Sequence, residues 1–391
     1  MTIENTAQQR EVIREFRIEI PQSELDSLKQ RLRDVRWPEE EPVHDWTQGV
    51  PLAKAKALID YWRDHYDWRR IEARLNFFPQ FLTEIDGLDI HFHHIRSPHA
   101  EALPMIMTHG WPGSTIEFLK VIEPLTNPTK FGGSASDAFH LVIPSLPGHG
   151  FSGKPREAGW NAEHTAKAWA VLMQRLGYSR YVAQGGDWGS TVTHFMASQR
   201  PKGLLAGHVC WPLVFPATMP TDLTPEEAKA FDAVERFKTD AAGYHHQQAT
   251  RPQTLGYALA DSPAGQAIWI YEKFNEWTDN NGTIEELFTL DEMLDNISIY
   301  WLTNSGGSSA RYYWENARGT TGTNLAFGRI ELPMSATIFP KDMYEAPRHW
   351  AEASWPNLVH WGISEKGGHF SAWEQPEIIV GEVRKAFQCF R

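Results

Sequence analysis

The chain reads as an α/β protein in which a mostly parallel sheet carries helices on both faces, with a helical lid inserted between late strands and an N-terminal helical meander in front. Three observations predict this. From about residue 85 short apolar runs end in Gly-rich turns and alternate with helical stretches, the pattern of parallel strands covered on both faces. Between about 211 and 325 the strand pattern lapses and helical stretches dominate. Ahead of residue 95, apolar residues recur at helical spacing.

Taken in order, Ser23-Glu24-Leu25-Asp26 has the form of a helix capping box, followed by Leu25, Leu28, Leu32 and Val35 at helical spacing. A second helix is expected after Pro51, carrying Tyr61, Trp62, Tyr66 and Trp68 and running towards Asn76-Phe77-Phe78-Pro79-Gln80-Phe81. The expected strands are Met105-Ile106-Met107, Leu141-Val142-Ile143, Tyr181-Val182-Ala183, Ala336-Thr337-Ile338-Phe339 and Val359-His360-Trp361. Within the insertion, Ala264 to Phe274 and Leu290 to Trp301 read as helices. The division is then residues 1–95 for an N-terminal layer, 96–210 with 326–391 for the core, and 211–325 for the lid.

Length and composition fit. A chain of 391 residues, 41% hydrophobic, is long enough for two domains or one enlarged one with a full core. With 37 Lys plus Arg against 49 Asp plus Glu, the net charge of −12 speaks against simple nucleic-acid binding. The opening Met1-Thr2-Ile3-Glu4-Asn5-Thr6 shows no secretory signal, and no apolar run approaches the ~18 residues that span a bilayer, so no membrane anchor is expected. Cys210 and Cys389 allow at most one disulfide, and a reduced, cytoplasmic setting is the default. The 17 Trp, 20 Phe and 11 Tyr must either fill a core or line an apolar pocket.

Gly185-Gly186-Asp187-Trp188-Gly189 follows one expected strand and precedes a helical stretch. It has the form of the nucleophile elbow of the α/β-hydrolase fold, with Asp where esterases carry Ser. Side chains at 185 or 189 would collide with the neighbouring strand and helix. Thr108-His109-Gly110-Trp111-Pro112-Gly113-Ser114 stands where that fold supplies an oxyanion donor, so the N–H groups of Trp111 and Trp188 are expected to converge on one oxygen. Asp342, in Phe339-Pro340-Lys341-Asp342, and His369, in Gly367-Gly368-His369-Phe370, complete the chain order nucleophile, acid, histidine. His91 and His93 share a strand face but lack a carboxylate or Cys to complete a metal site, and read as structural.

On these residues the sequence resembles the microsomal-type epoxide hydrolases, a family with soluble fungal and bacterial members and insect juvenile-hormone epoxide hydrolases. The resemblance extends to Tyr66-Asp67-Trp68-Arg69, to Leu75 through Phe81, and to Ala260-Asp261-Ser262-Pro263 of the lid. It implies two lid tyrosines that hold an epoxide oxygen. Tyr244, ahead of Thr250-Arg251-Pro252, matches the first; Tyr313, in Arg311-Tyr312-Tyr313-Trp314-Glu315-Asn316, matches the second, with Tyr312 the adjacent alternative. The implied reaction is hydrolysis of a small hydrophobic epoxide to a vicinal diol. Asp187 would attack a ring carbon, Tyr244 and Tyr313 would serve the oxygen, and His369 with Asp342 would activate the water that cleaves the ester. Neither metal nor organic cofactor is required. Trp211, Phe215, Trp269 and Phe370 are candidates for the pocket wall, whereas Trp62 and Trp68 read as packing. A haloalkane dehalogenase would use the same aspartyl-ester chemistry but lacks the two tyrosines. A non-catalytic ligand-binding relative would be expected to have lost part of the Asp187, Asp342 and His369 set. The N-terminal layer leaves a homodimer open.

Overall fold

The computed structural model describes residues 12–216, 218, 220–319 and 327–391; the expectation about the opening residues and the expected lid end at 325 lie outside them. One sheet runs through the molecule in the order β1-β2-β3-β5-β4-β6-β7-β8-β9. Its strands are β1 (Arg14–Phe16), β2 (Gln80–Ile85), β3 (Leu88–Ile95), β4 (Leu103–Thr108), β5 (Phe139–Pro144), β6 (Tyr181–Gly185), β7 (Leu204–Val209), β8 (Met334–Ile338) and β9 (Leu358–Ile363). Pairing is antiparallel from β1 through β3 to β5 and parallel beyond. All residues of β5, β6 and β8 are buried, which is why these strands read as continuous apolar runs rather than alternating ones.

Four readings of the sequence change. The first helix spans Gln22–Arg33 from an N-cap at Pro21 that makes no side-chain bond, so Ser23 already lies inside the first turn and the capping box does not form. The second expected helix is two, Leu52–Asp64 and Trp68–Phe77, because the Asp67 carboxylate accepts from the Arg69 N–H and starts a new helix. Residues 80–95 do not belong to a helical layer. They form a hairpin in the main sheet, turned at Asp86-Gly87 with φ of 49° and 79°, the Asp-Gly signature of a tight hairpin turn. The fourth change is β7, which supplies the strand that leads into the lid.

Between β7 and β8 the described chain is helical, including Gly243–Thr250, Pro263–Glu276, Leu290–Leu302 and Gly306–Ala317. The N-terminal helices brace this insertion. Tyr66 Oη and Arg70 Nη2 reach Asp295 Oδ1 at 2.9 and 2.6 Å, Tyr61 Oη reaches Asp291, and Lys54 pairs with Glu285. Cys210 is buried, Cys389 is exposed, and both are free. Among the described residues no helix is long and apolar enough to cross a membrane.

Among the described residues eight histidines are buried, and six of them, His91, His93, His109, His149, His194 and His208, are held neutral by that burial. Burial holds His93, His149 and His208 at about 3, His109 and His194 at about 4, and His91 well below its ordinary value. Unfolded chains bind these protons near pH 6.5, so below that pH the unfolded state takes up more protons than the native one. Each such ring removes about 1.4 kcal/mol of stability per pH unit between 6.5 and its folded value. Burial raises Glu117, Glu374 and Asp295 to about 8, 7 and 6, which acts in the opposite sense but through fewer groups. Thermal melts should therefore show the midpoint falling steadily from pH 6.5 to 4; a flat midpoint over that range would contradict the assignment of neutral buried rings.

Candidate active site

Asp187 sits between β6 and the helix Trp188–Gln199 with φ 51° and ψ −125°, a conformation that non-glycine residues adopt only when the surroundings enforce it. The surroundings are glycines. A side chain on Gly185 would overlap the Gly189 carbonyl, and one on Gly189 the Thr108 carbonyl. The turn thus presents the carboxylate at a helix N-terminus, where negative charge is favoured.

The two oxygens of that carboxylate have different partners. Oδ1 accepts the Trp111 N–H at 2.8 Å, and Oδ2 lies 3.2 Å from His369 Nε2. Of the two expected oxyanion donors, Trp111 is the one bonded to Asp187 in this state; the Trp188 N–H heads the helix that follows. The Trp111 loop is held from the lid by helix Leu290–Leu302. Asn296 Nδ2 donates to the Pro112 carbonyl and Tyr300 Oη to the Gly113 carbonyl, each at 2.7 Å.

His369 Nδ1 is 2.7 Å from Asp342 Oδ1. Burial alone would depress the imidazole, but the carboxylates of Asp342 and Asp187 outweigh it and raise it well above its ordinary value. The resting ring is therefore an imidazolium between two carboxylates. Its loop is anchored twice. The His369 N–H donates to the Trp277 carbonyl at 2.8 Å, and the buried Glu374 carboxyl accepts from the N–H groups of Asp279, Gly368 and Phe370 at 2.9, 2.9 and 3.0 Å. Replacing Glu374 by Ala strands these three donors and should cost about 3 kcal/mol in urea unfolding, with Glu374→Gln losing less; an unchanged midpoint in the Ala variant would contradict the anchoring.

Tyr244 and Tyr313 meet edge-on, their ring centroids 5.8 Å apart. Tyr244 stacks on Trp111 at 5.2 Å, and Tyr313 meets Trp188 edge-on at 4.8 Å. Burial, reinforced by the Asp187 charge, raises both phenols well above their ordinary value. Tyr312 points elsewhere: its hydroxyl bonds Thr165 Oγ1 at 3.0 Å.

The wall residues divide. Trp211 and Phe370 lie 6.2 and 5.4 Å from the His369 ring. Phe215 is one ring removed, stacked on Tyr344. Trp269, half-buried on helix Pro263–Glu276, donates to Gln248 Oε1 at 3.1 Å, and one turn further along it is the Lys273 ammonium that lies 4.8 Å from the Tyr244 ring centroid. Sequence reasoning missed Trp277, which packs against Tyr244 and His369 at 5.2 and 5.1 Å. It also missed Glu374, Asn296 and Tyr300, helix residues around which the sequence shows no catalytic motif. His91 is bonded at both nitrogens, to Ser145 and Gln80, and among the described residues no group of three His, Cys, Asp or Glu side chains could hold a metal.

Residues 13–118 match the family described as epoxide hydrolase N terminus, and residues 104–249 match the alpha/beta hydrolase fold. The chain is 56% identical over 377 residues to a Stigmatella aurantiaca protein provisionally named an epoxide hydrolase, covering 96% of this chain and 85% of that one. It is 36% identical to epoxide hydrolase 1 of Sus scrofa, over 96% of this chain and 88% of that one. The crystal structure of juvenile hormone epoxide hydrolase from the silkworm Bombyx mori superposes with a TM-score of 0.88 at 30% identity, over 99% of this chain and 97% of that one.

Proposed function

Since the chain belongs to the epoxide hydrolase family of α/β-hydrolase enzymes, we propose that it converts an uncharged, hydrophobic epoxide to its vicinal diol through a covalent ester on Asp187. The observation that carries this reading is the unequal placement of the two Asp187 oxygens, one on the Trp111 N–H and the other facing His369.

An epoxide carbon is tetrahedral, so ring opening is a displacement, and an ionised carboxylate needs no base to perform it. Oδ2 attacks the carbon. Tyr244 and Tyr313 hydrogen-bond the ring oxygen and protonate it as the C–O bond breaks. Their raised pKa keeps both phenols protonated at neutral pH, which suits weak acids serving a developing alkoxide.

Ester formation removes the charge of Asp187. One of the two carboxylates that hold the His369 proton is thereby lost, and the imidazolium gives up its proton to restore the tyrosine. The ring becomes a base only when a base is needed. Neutral His369, oriented by Asp342, then takes a proton from water as the water oxygen bonds Cγ. The carbonyl electrons move onto Oδ1 under the Trp111 N–H, with the Trp188 N–H as second donor. Collapse expels the diol through the original Oδ2, which leaves with the second hydrogen of the attacking water. Asp187 is again a carboxylate, His369 again an imidazolium, and the protons balance.

Trp211 and Phe370, with the missed Trp277, provide an apolar wall for an uncharged substrate. The paired tyrosines over Asp187 favour an epoxide over a haloalkane, whose leaving halide needs N–H donors instead. Incubation with aryl, terpenoid and aliphatic epoxides should yield diol, and haloalkanes should yield no halide. Halide release without diol would reverse the assignment, and stoichiometric binding without turnover of any epoxide would favour a receptor.

A further inference from the structure

The oxyanion loop carries a second carboxyl that this mechanism leaves unused. Glu117 lies in the short turn Thr115–Phe118 that follows the His109–Ser114 segment. Two glycines of that segment are vacated for carboxyl groups. A side chain on Gly110 would overlap the carboxylate of Asp187, and one on Gly113 would overlap that of Glu117. The Trp111-Pro112 pair, whose N–H is the oxyanion donor, is thus flanked by two glycines that each admit a carboxyl.

The surroundings of Glu117 fit a hydrogen-bonding role. Among the described residues it makes no salt bridge; its carboxyl lies against Gly113, and the charges acting on it are His369 and then Asp187. Burial pushes its carboxyl up to about 8, so at neutral pH it is protonated, with one donor and one acceptor. Its neighbours Ile116 and Phe118 are buried and Glu117 itself is partly covered. A carboxyl seated at Gly113, across the Trp111-Pro112 pair from the Asp187 carboxylate seated at Gly110, has the donor and acceptor to hold a water molecule between them.

We propose that Glu117 is a positioning residue for the hydrolytic water, holding it against His369 Nε2 for attack on Asp187 Cγ. The Glu117 hydroxyl donates to the water oxygen and its carbonyl accepts the hydrogen that does not go to His369. Glu117 neither gains nor loses a proton, and the oxygen delivered to Cγ is the water's. This inference rests on the ester mechanism proposed above.

The test is single-turnover kinetics with an aryl epoxide, following ester formation and ester loss separately by quenched intact mass. Glu117→Ala should form the ester at a rate within a few-fold of the unsubstituted enzyme and lose it roughly 10- to 100-fold more slowly. Glu117→Gln, which keeps a donor and an acceptor in place, should restore most of the hydrolysis rate. It should also remove the decline above about pH 8 expected when Glu117 ionises opposite Asp187, His369, Tyr300 and Cys210. Ester formation and loss slowed equally in the Ala variant, or no rescue by Gln, would mean a brace for the loop and overturn the proposal. If His369→Gln accumulates ester while Glu117→Ala hydrolyses it at full speed, the water role alone fails. If neither variant nor the unsubstituted enzyme ever shows an adduct, the ester mechanism fails and takes this inference with it.

Discussion

Replacing His369 by Gln should leave a protein that reacts once with an epoxide and then stops. Gln fills a similar volume beside Asp187 but cannot accept the proton of the attacking water, so the second step should slow by about 10⁴-fold while the first survives. Intact mass spectrometry should then show a stoichiometric adduct of one epoxide per chain, mapping to the peptide that contains Asp187. Asp187→Asn should form no adduct at all. In the proposed mechanism the asymmetry follows from charge: the Asp342 and Asp187 carboxylates hold the His369 proton in the resting site, and the ring acts as a base only after ester formation has neutralised Asp187. Absence of an adduct in His369→Gln with a good substrate, or turnover close to that of the unsubstituted enzyme, would contradict this division of labour.

The second large effect concerns the lid tyrosines. Loss of one preorganised donor from a developing oxyanion typically costs about 10²- to 10³-fold in rate. Tyr244→Phe and Tyr313→Phe should each slow ester formation by about that factor, and the double variant by more. Ester loss should change little, because the tyrosines serve the ring oxygen and not the acyl carbon. Tyr312→Phe is the control. Its hydroxyl is spent on Thr165, so its removal should leave ester formation within a few-fold of the unsubstituted enzyme. Equal damage from Tyr312→Phe and Tyr313→Phe would show that the pair had been assigned to the wrong neighbour.

The features legible in the sequence are those that geometry forces onto a few residue types. The elbow had to be glycine on both sides of Asp187 because backbone carbonyls occupy the space of a side chain, and such a constraint leaves a recognisable string. Asp342 and His369 were found by chain order, which a fixed strand topology imposes. Tyr313 was separated from Tyr312 in the sequence only through the family resemblance; in three dimensions the Tyr312 hydroxyl bonds Thr165, while the Tyr313 ring packs against Tyr244. Trp277, Glu374, Asn296 and Tyr300 left no trace, since each is an unremarked helix or helix-end residue whose role comes from where the lid or the last loop lands. The Asp86-Gly87 turn was a readable hairpin signal that the helical spacing before it obscured. Ser23-Glu24-Leu25-Asp26 misled for a simpler reason: the helix began at Gln22, ahead of the proposed cap.

The aspartyl ester is the claim on which the rest depends, and a single turnover in heavy-oxygen water with enzyme in excess tests it most directly. If Oδ2 of Asp187 attacks the epoxide and water attacks Cγ, the diol of the first turnover carries no label and the Asp187 peptide gains one heavy oxygen. If the first-turnover diol carries the label and Asp187 does not, water attacked the epoxide itself and no ester was formed.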